Sequence, residues 1–394
     1  MNEPMKKEVR YKLAFAVSLF FEYGGMQRSL LRIAQECARR GHEIHIFTGG
    51  WIGERDDSIH VHELDTRALT NVRSNDILAR KLAEAVKRDG GFDAVIGFTK
   101  IPGLDVYYAG DPCYAERIRQ TRPWWYRFTP RYRGFRRQEA AVFGKGRDTE
   151  LMLIAHGEQQ HFMHYYGTEA SRFHLLPPGI NRARFEHQPL PEDLARLRAE
   201  LGVAAQEKML LLVGARFKTK GLDRALEAVA ALPEKQREQV RLVVVGGDKQ
   251  GPYRKQAEQL GILDRVVFTG AREDLVRFYH AADLLVHPPY SENTGTILIE
   301  AMLCSLPILV TANCGFAYHV RDAGAGSVCP EPFSQSQFNR LLSEMIASDK
   351  LAQWAANGPR YCEQTDLYSL IERAADVIIA RAQRNAEKRD RESA

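Results

Sequence analysis

Cysteine is sparse and poorly placed for chemistry. The 394-residue chain has six (Cys37, Cys113, Cys304, Cys314, Cys329 and Cys362), with no C-x-x-C pair and no histidine partner at zinc spacing. That pattern speaks against a redox motif and against a structural zinc site, so reduced thiols, no disulfide and no metal are expected. No apolar run reaches the ~20 residues that a spanning helix needs. Charge of one sign is scarce too: 55 Lys plus Arg against 50 Asp plus Glu leave +5, which implies no global preference for polyanions. The G-x-G-x-x-G fingerprint is missing as well, since only Gly24-Gly25 follows the first apolar run, and a nicotinamide cofactor is not supported.

What is present reads as two alternating α/β series. Lys6, Lys7, Arg10 and Lys12 followed by Leu13 to Phe21 imitate a signal peptide. Glu22-Tyr23-Gly24-Gly25 stands where a small-residue cleavage site belongs, and a buried strand entering a glycine turn accounts for the same run. A strand over 13–20, a helix over 26–40 closed by Gly41 and a strand over 44–47 form a Rossmann-type unit. Further strands are predicted at 94–98, 105–109 and 151–155, and helices at 76–88 and 157–166. Leu175-Leu176-Pro177-Pro178-Gly179-Ile180 reads as a linker. After it, Met209–Gly214 and Val240–Gly247 are continuous apolar runs of the kind buried on both faces of a parallel sheet, and 266–270, 284–287 and 307–310 add three more. The expected domains are therefore 1–175 and 176–360. A helical pattern over 366–382 begins a last segment, 361–394, and the charged stretch from Arg384 to Ala394 is expected to fray.

Between the run ending at His287-Pro288 and the helical spacing of Ile297, Leu298, Ala301 and Met302 lies Ser291-Glu292-Asn293-Thr294-Gly295-Thr296. A helix starting near Thr294 leaves its first amides without acceptors, which makes Gly295 and Thr296 a seat for phosphate. Glu292 and Glu300 are separated by roughly 12 Å if both are helical, a span that suits a sugar on one side of a diphosphate and a ribose on the other. Two glutamates near a helix start also favour the dipole without any ligand. Arg216 and Lys220 follow the Met209–Gly214 strand, placed to clamp a diphosphate or simply to sit on the surface. Asp111 leaves an aromatic strand end before Pro112, a position that forms turns as readily as it meets substrate.

One segment stands apart. Arg119, Arg122, Trp124, Trp125, Tyr126, Arg127, Phe128, Arg131, Arg133, Arg136 and Arg137 interleave cations and aromatics, with no acid between 117 and 137. Aromatics favour the headgroup region and arginines meet anionic lipid, so this excursion (115–138) is read as a loop that binds a membrane surface. Phosphate contact and base stacking use the same residue types, which keeps a non-catalytic membrane- or RNA-binding module as the alternative function. That alternative gives no reason for Lys220, Glu292, Gly295 and Glu300 to follow strands in this order, and nucleic acid is not the expected partner.

The Glu292-x7-Glu300 segment, continued by Ala301-Met302-Leu303-Cys304-Ser305-Leu306-Pro307-Ile308-Leu309, resembles the motif of the retaining GT-B glycosyltransferases of family 4, the large glucosyl- and mannosyltransferase family. The resemblance implies two facing Rossmann-like domains with a cleft between them and a final helix crossing back to the first. It implies that Glu292 meets the donor sugar, Glu300 the ribose, Lys220 with Arg216 the diphosphate, and Asp111 the acceptor hydroxyl. Arg216 and Lys220 lie closer together than the family's pair usually does. Gly24-Gly25-Met26-Gln27-Arg28, the Lys100–Asp105 and Asp111–Glu116 segments, the basic aromatic insertion, Leu176–Ile180 and Ala312–Ala317 narrow the likeness. They resemble the family's lipopolysaccharide core hexosyltransferases, over residues 11–380. That implies a UDP-hexose co-substrate, a heptosylated lipid A acceptor, an alpha-1,3 linkage, no metal, and work at the cytoplasmic face of an inner membrane. Gly25, Arg184 and Arg272 join the implied donor site. Asn293 and Thr294 add polarity that would meet an acetamido group, which keeps UDP-N-acetylhexosamine open beside UDP-glucose.

Overall fold

The computed structural model describes residues 9–22 and 24–393; Lys6, Lys7 and Tyr23, used in reading the amino terminus, lie outside them. The chain divides into two units, one running to Gly179 and resuming at Ser369, the other Ile180–Tyr368. The first boundary falls just after Pro177-Pro178, where neither proline can donate to a ladder.

In the N-terminal unit a seven-stranded parallel sheet runs in the order Ile59–Glu63, Glu43–Thr48, Lys12–Val17, Ala94–Gly97, Val106–Ala109, Glu150–Leu153, Phe173–Leu175. In the C-terminal unit the order is Val266–Gly270, Val240–Val245, Lys208–Val213, Leu284–His287, Ile308–Thr311, Gly326–Cys329, again parallel. Each sheet is doubly wound, with its order reversing beside its first strand, and it is at such switch points that open parallel sheets hold ligands beyond their carboxyl ends. The central strands are buried nearly throughout, which is why they read as unbroken apolar runs.

Two expectations are corrected. The segment read as a loop over 115–138 is helical: Tyr114–Thr121, a 3-10 turn Trp124–Phe128, and Pro130–Phe143. Pro130 occupies the first helical turn and the Thr129 hydroxyl accepts from the Tyr132 amide, a start signal hidden among the arginines. The expected frayed tail is helical as well, since a single helix covers Leu370–Ser393. Leu370, Ile371, Ala374, Ala375, Ile378 and Ala382 are buried in the core of the N-terminal unit. Beyond them the charges find partners: Arg384 meets Glu150, Asn385 donates to Asp105 (2.9 Å), and Arg389 meets Asp93. Among the described residues no helix is long and apolar enough to cross a membrane.

Arg381 ties this helix down, donating to Asp105 (3.2 Å) and Asp148 (2.5 Å) with its side chain only 11% exposed. Arg381→Ala is expected to cost about 2 kcal/mol in the unfolding of the N-terminal unit, because it removes the charge-assisted bonds of a mostly buried guanidinium to Asp105 and Asp148. Urea unfolding followed by a probe in that unit measures this; an unchanged midpoint would mean that apolar burial alone holds the helix.

Candidate functional site

The polar centre of the C-terminal unit lies at its switch point, between the ends of Lys208–Val213 and Leu284–His287. After the first of these strands, Arg216 takes a left-handed backbone (φ 62°) and opens the short helix Phe217–Lys220, whose first amide donates to Asp248 (2.8 Å). This turn carries Lys220 back over the sheet, where its ammonium pairs directly with Glu292, the two side chains being 19% and 16% exposed. Arg216 itself is exposed. At the end of the second strand His287 is wholly buried, 3.7 Å from the same carboxylate oxygen.

Burial pushes Glu292 up, while His287 and Lys220 pull it down and prevail, leaving it at about 2. Burial likewise lowers His287, which keeps the imidazole neutral at pH 7. At 3.7 Å the ring is beyond hydrogen-bond reach, and neither of its nitrogens has a hydrogen-bond partner among the described residues. The contacting ammonium is therefore the partner that keeps Glu292 ionised.

The loop bearing Glu292 is held in a second way. Gly315 and Phe316 donate their amides to the carbonyls of Glu292 (2.9 Å) and Thr294 (2.7 Å). A Cβ on Gly315 would lie 1.9 Å from the Asn293 carbonyl, so only glycine permits this approach. Asn313 donates to the Pro289 and Tyr290 carbonyls, both at 3.0 Å. Gly295 then turns left-handed (φ 94°) and the helix Thr296–Leu303 begins, two residues later than expected, with Thr296 exposed at its start. Glu300 lies one turn on and accepts from the Tyr279 hydroxyl (2.7 Å). Burial and Glu300 raise that phenol well above its ordinary value, so it remains a donor.

The remaining sequence-chosen residues are more dispersed. Arg184 is exposed and lies near enough to Tyr279 to influence it. Arg272 is bound to Asp274 by two bonds of 2.8 Å. Asn293 and Thr294 are half-buried in the Glu292 loop. Lys220, Glu292, Gly295 and Thr296 thus converge, with Glu300 a turn away. His287 and Tyr279 were not singled out from the sequence; a histidine ending an apolar run was the available signal for the first.

Gly25 and Asp111 belong to the N-terminal unit. A cavity of about 1210 Å³ opens there beyond the ends of Lys12–Val17 and Ala94–Gly97, lined by Ser18, Thr99, Lys100, Asp111 and Arg117 among others. Gly25 starts the helix Gly25–Arg39, and an added Cβ there would meet nothing within 4 Å. Asp111 is exposed. Behind it the fully buried Glu139 accepts from the Lys100 ammonium (2.5 Å) and from the amides of Tyr114 (2.9 Å) and Ala115 (3.3 Å). Glu139 therefore fixes both Lys100 and the turn after Asp111. The sequence reading missed it, although an acid among Ala140, Ala141, Val142 and Phe143 was a signal.

The basic aromatic segment is only partly open. Trp124, Trp125 and Phe128 are 73%, 55% and 63% exposed. Arg127 and Arg133 are exposed as well, and Tyr126 is half-buried. Arg119 is engaged by Glu116 and Arg137 by Asp76, while Arg136 lies over Tyr166 at 4.7 Å. Arg122 and Arg131 lie over Tyr126 and Phe135 at 5.6 and 5.8 Å.

The Glu292–Lys220 pair makes a pH prediction. A carboxylate depressed by folding adds stability above its unfolded value and loses it as the pH falls through the folded one. The advantage of the parent over Glu292→Gln is expected to be at most about 3 kcal/mol at pH 7, to shrink below pH ~4.5 and to vanish near pH 2. Chemical unfolding of both proteins across that range checks it, and a constant difference would rule out the ion pair as its source.

With this geometry in place, the relatives are informative. A family model described as "Glycosyltransferase Family 4" matches residues 23–184, and one described as "Glycosyl transferases group 1" matches residues 194–361. The chain is 40% identical over 367 residues to the lipopolysaccharide glucosyltransferase WaaG of Escherichia coli (strain K12), covering 93% of this chain and 98% of that one. To a D-inositol 3-phosphate glycosyltransferase of Mycobacterium sp. (strain KMS) it is 28% identical over 344 residues, 77% and 74% of the two chains. The crystal structure of WaaG superposes with a TM-score of 0.81, covering 93% of this chain and 99% of that one. Anabaena HepE in complex with UDP and glucose shares the fold at 20% identity, with a TM-score of 0.67 and coverage of 94% and 100%. Each Rossmann-like half of the sequence is matched by its own family model, and a 40% identical relative is covered almost end to end: the chain belongs to the GT-B glycosyltransferases of family 4.

Proposed function

We propose that this chain transfers a hexose from a UDP-sugar onto an inner-core heptose of lipopolysaccharide, with retention and an alpha-1,3 linkage. The observation that carries this reading is the Lys220–Glu292 pair at the C-terminal unit's switch point, next to the open start of the helix Thr296–Leu303. The kinship with WaaG supports the lipopolysaccharide acceptor.

In this reading the helix-start amides and Lys220 take the diphosphate and meet the charge that builds on the departing nucleotide, with no call for a divalent cation. Arg216, exposed on the same turn, adds a second cation. Glu292 is ionised and shielded, so it accepts hydrogen bonds from hydroxyls of the donor sugar and has no proton to give at neutral pH. It is a donor-binding group; the new bond forms on the face that the phosphate leaves, with no carboxylate nucleophile. Glu300 has one oxygen held by Tyr279, which turns its other oxygen toward a ribose hydroxyl. Asp111 orients the acceptor hydroxyl or takes its proton. UDP-glucose is the favoured donor. Asn293 and Thr294 beside Glu292 favour trying UDP-N-acetylhexosamines next, since side-chain amides and hydroxyls suit an acetamido group.

The exposed Trp124, Trp125 and Phe128 with Arg127 and Arg133 are assigned to an anionic membrane surface on the cytoplasmic side, where a lipid A-linked acceptor is presented. Nucleic acid is not assigned to this patch.

UDP release should require heptosylated lipid A and fall about 10²–10³-fold in Glu292→Ala with far-UV circular dichroism unchanged. Turnover at the parent rate in that variant would remove Glu292 from the site. Thermal stabilisation by UDP, absent with NAD and lost in Glu300→Ala, locates the nucleotide, and the same assay ranks the donors. Replacing Trp124 and Trp125 by Ala and Arg127 and Arg133 by Gln should weaken binding to anionic vesicles at least tenfold. Equal binding by parent and variant would return the patch to a structural role.

A further inference from the structure

At the amino-terminal end of the N-terminal unit's sheet, away from the cavity at its carboxyl ends, imidazoles gather on one face. The strands Glu43–Thr48 and Ile59–Glu63 are parallel neighbours in the register His45↔His60 and Phe47↔His62. Side chains two apart share a face, so Glu43 and His45 stand beside His60 and His62. The His45 ring lies 4.8 Å from that of His60 and 5.1 Å from that of His62, the latter pair stacked within 7°. His45 Nε2 is 2.9 Å from Glu43 Oε1, and His45 Nδ1 is 2.8 Å from His62 Nε2. One ligand atom from each of Glu43, His45 and His60 lies within 4.8 Å of the others.

We propose that Glu43, His45 and His60 bind a divalent transition-metal ion of the imidazole-favouring kind, Zn2+ foremost, with His62 fixing the His45 ring in its ligating tautomer. A carboxylate and two imidazoles form a donor set that suits Zn2+, Ni2+ or Cu2+ and leaves a further position to water. In tetrahedral coordination the ligand atoms stand roughly 3.3 Å apart, so the group contracts by rotating the exposed His60 and the half-exposed Glu43. His45 then turns its Nε2 lone pair to the metal and donates from Nδ1 to His62 Nε2, the outer-shell bond that ligating histidines make. The tautomeric exchange between the two rings balances without net proton release. Arg10 sits on the other oxygen of Glu43 at 3.4 Å, leaving Oε1 for the ion. Cysteine spacing gave the expectation of no structural metal; these ligands come from two strands, and His45 and His60, far apart for a sequence motif, become neighbours through the sheet register.

The ion would staple the edge strand Ile59–Glu63 to its neighbour. The test is titration of the tag-free, chelator-treated full chain with Co2+, read by its visible d–d bands, and with Zn2+ by calorimetry. One equivalent should bind, with affinity lowered at least tenfold in His60→Ala and in Glu43→Gln and 10–100-fold in His62→Gln. His60 is exposed on an edge strand, so its variant should keep the parent's circular dichroism. Zn2+ should raise the melting temperature of the parent and not that of His60→Ala. No bound ion at micromolar concentration, or parent-like affinity in His60→Ala, would overturn the proposal, and neither result depends on glycosyl transfer.

Discussion

A carboxylate that stays ionised while mostly shielded from water needs a cation held against it, and Glu292 obtains one from a segment 72 residues earlier. The contact exists because parallel strands that are distant in sequence end side by side. Lys208–Val213 delivers the turn that carries Lys220, and Leu284–His287 delivers the loop that carries Glu292. The surrounding features serve this meeting. Asp248 caps the Lys220 turn, Asn313 and the amides of Gly315 and Phe316 pin the Glu292 loop, and Gly295 turns the chain into a helix whose start carries no side-chain cap. The His287 imidazole is buried beside the pair, 3.7 Å from the Glu292 carboxylate.

The N-terminal unit answers the same topology with a different solution. Its switch point opens into a roomy cavity, and the buried acid there is structural: Glu139 gathers Lys100 and the amides after Cys113, leaving Asp111 exposed at the rim. One sheet plan thus supports a compact charged centre in one unit and a wide basin in the other. The difference comes from the loops at the strand ends, where a fold of this kind stores its specificity.

Legibility followed burial. Central strands such as Met209–Val213 and Val240–Val245 are apolar at every buried position and were readable as strands from the chain alone. The edge strands Ile59–Glu63, Phe173–Leu175 and Gly326–Cys329 were not, because a strand paired on one side and half exposed carries His60, His62, His174 and Ser327 in place of an apolar run. The glutamate spacing and Lys220 could be found by motif. The partners that set their charge and orientation, His287 and Tyr279, depend on tertiary proximity, which periodicity does not record. Composition misled at the basic aromatic segment: its arginines suggested an irregular excursion, whereas Thr129 and Pro130 begin a helix and Glu116, Asp76 and Tyr166 occupy three of the cations.

The helix Leu370–Ser393 bears on how the molecule is made. Synthesis proceeds from the amino terminus, yet the core beneath Leu30, Ile33 and Phe98 is completed by Ile371, Ala374 and Ile378, which emerge from the ribosome only after all of Ile180–Tyr368. The C-terminal unit, continuous in sequence, can close as it appears. The unit begun first is therefore the one finished last, and until then one side of its sheet is an apolar surface for chaperones to cover.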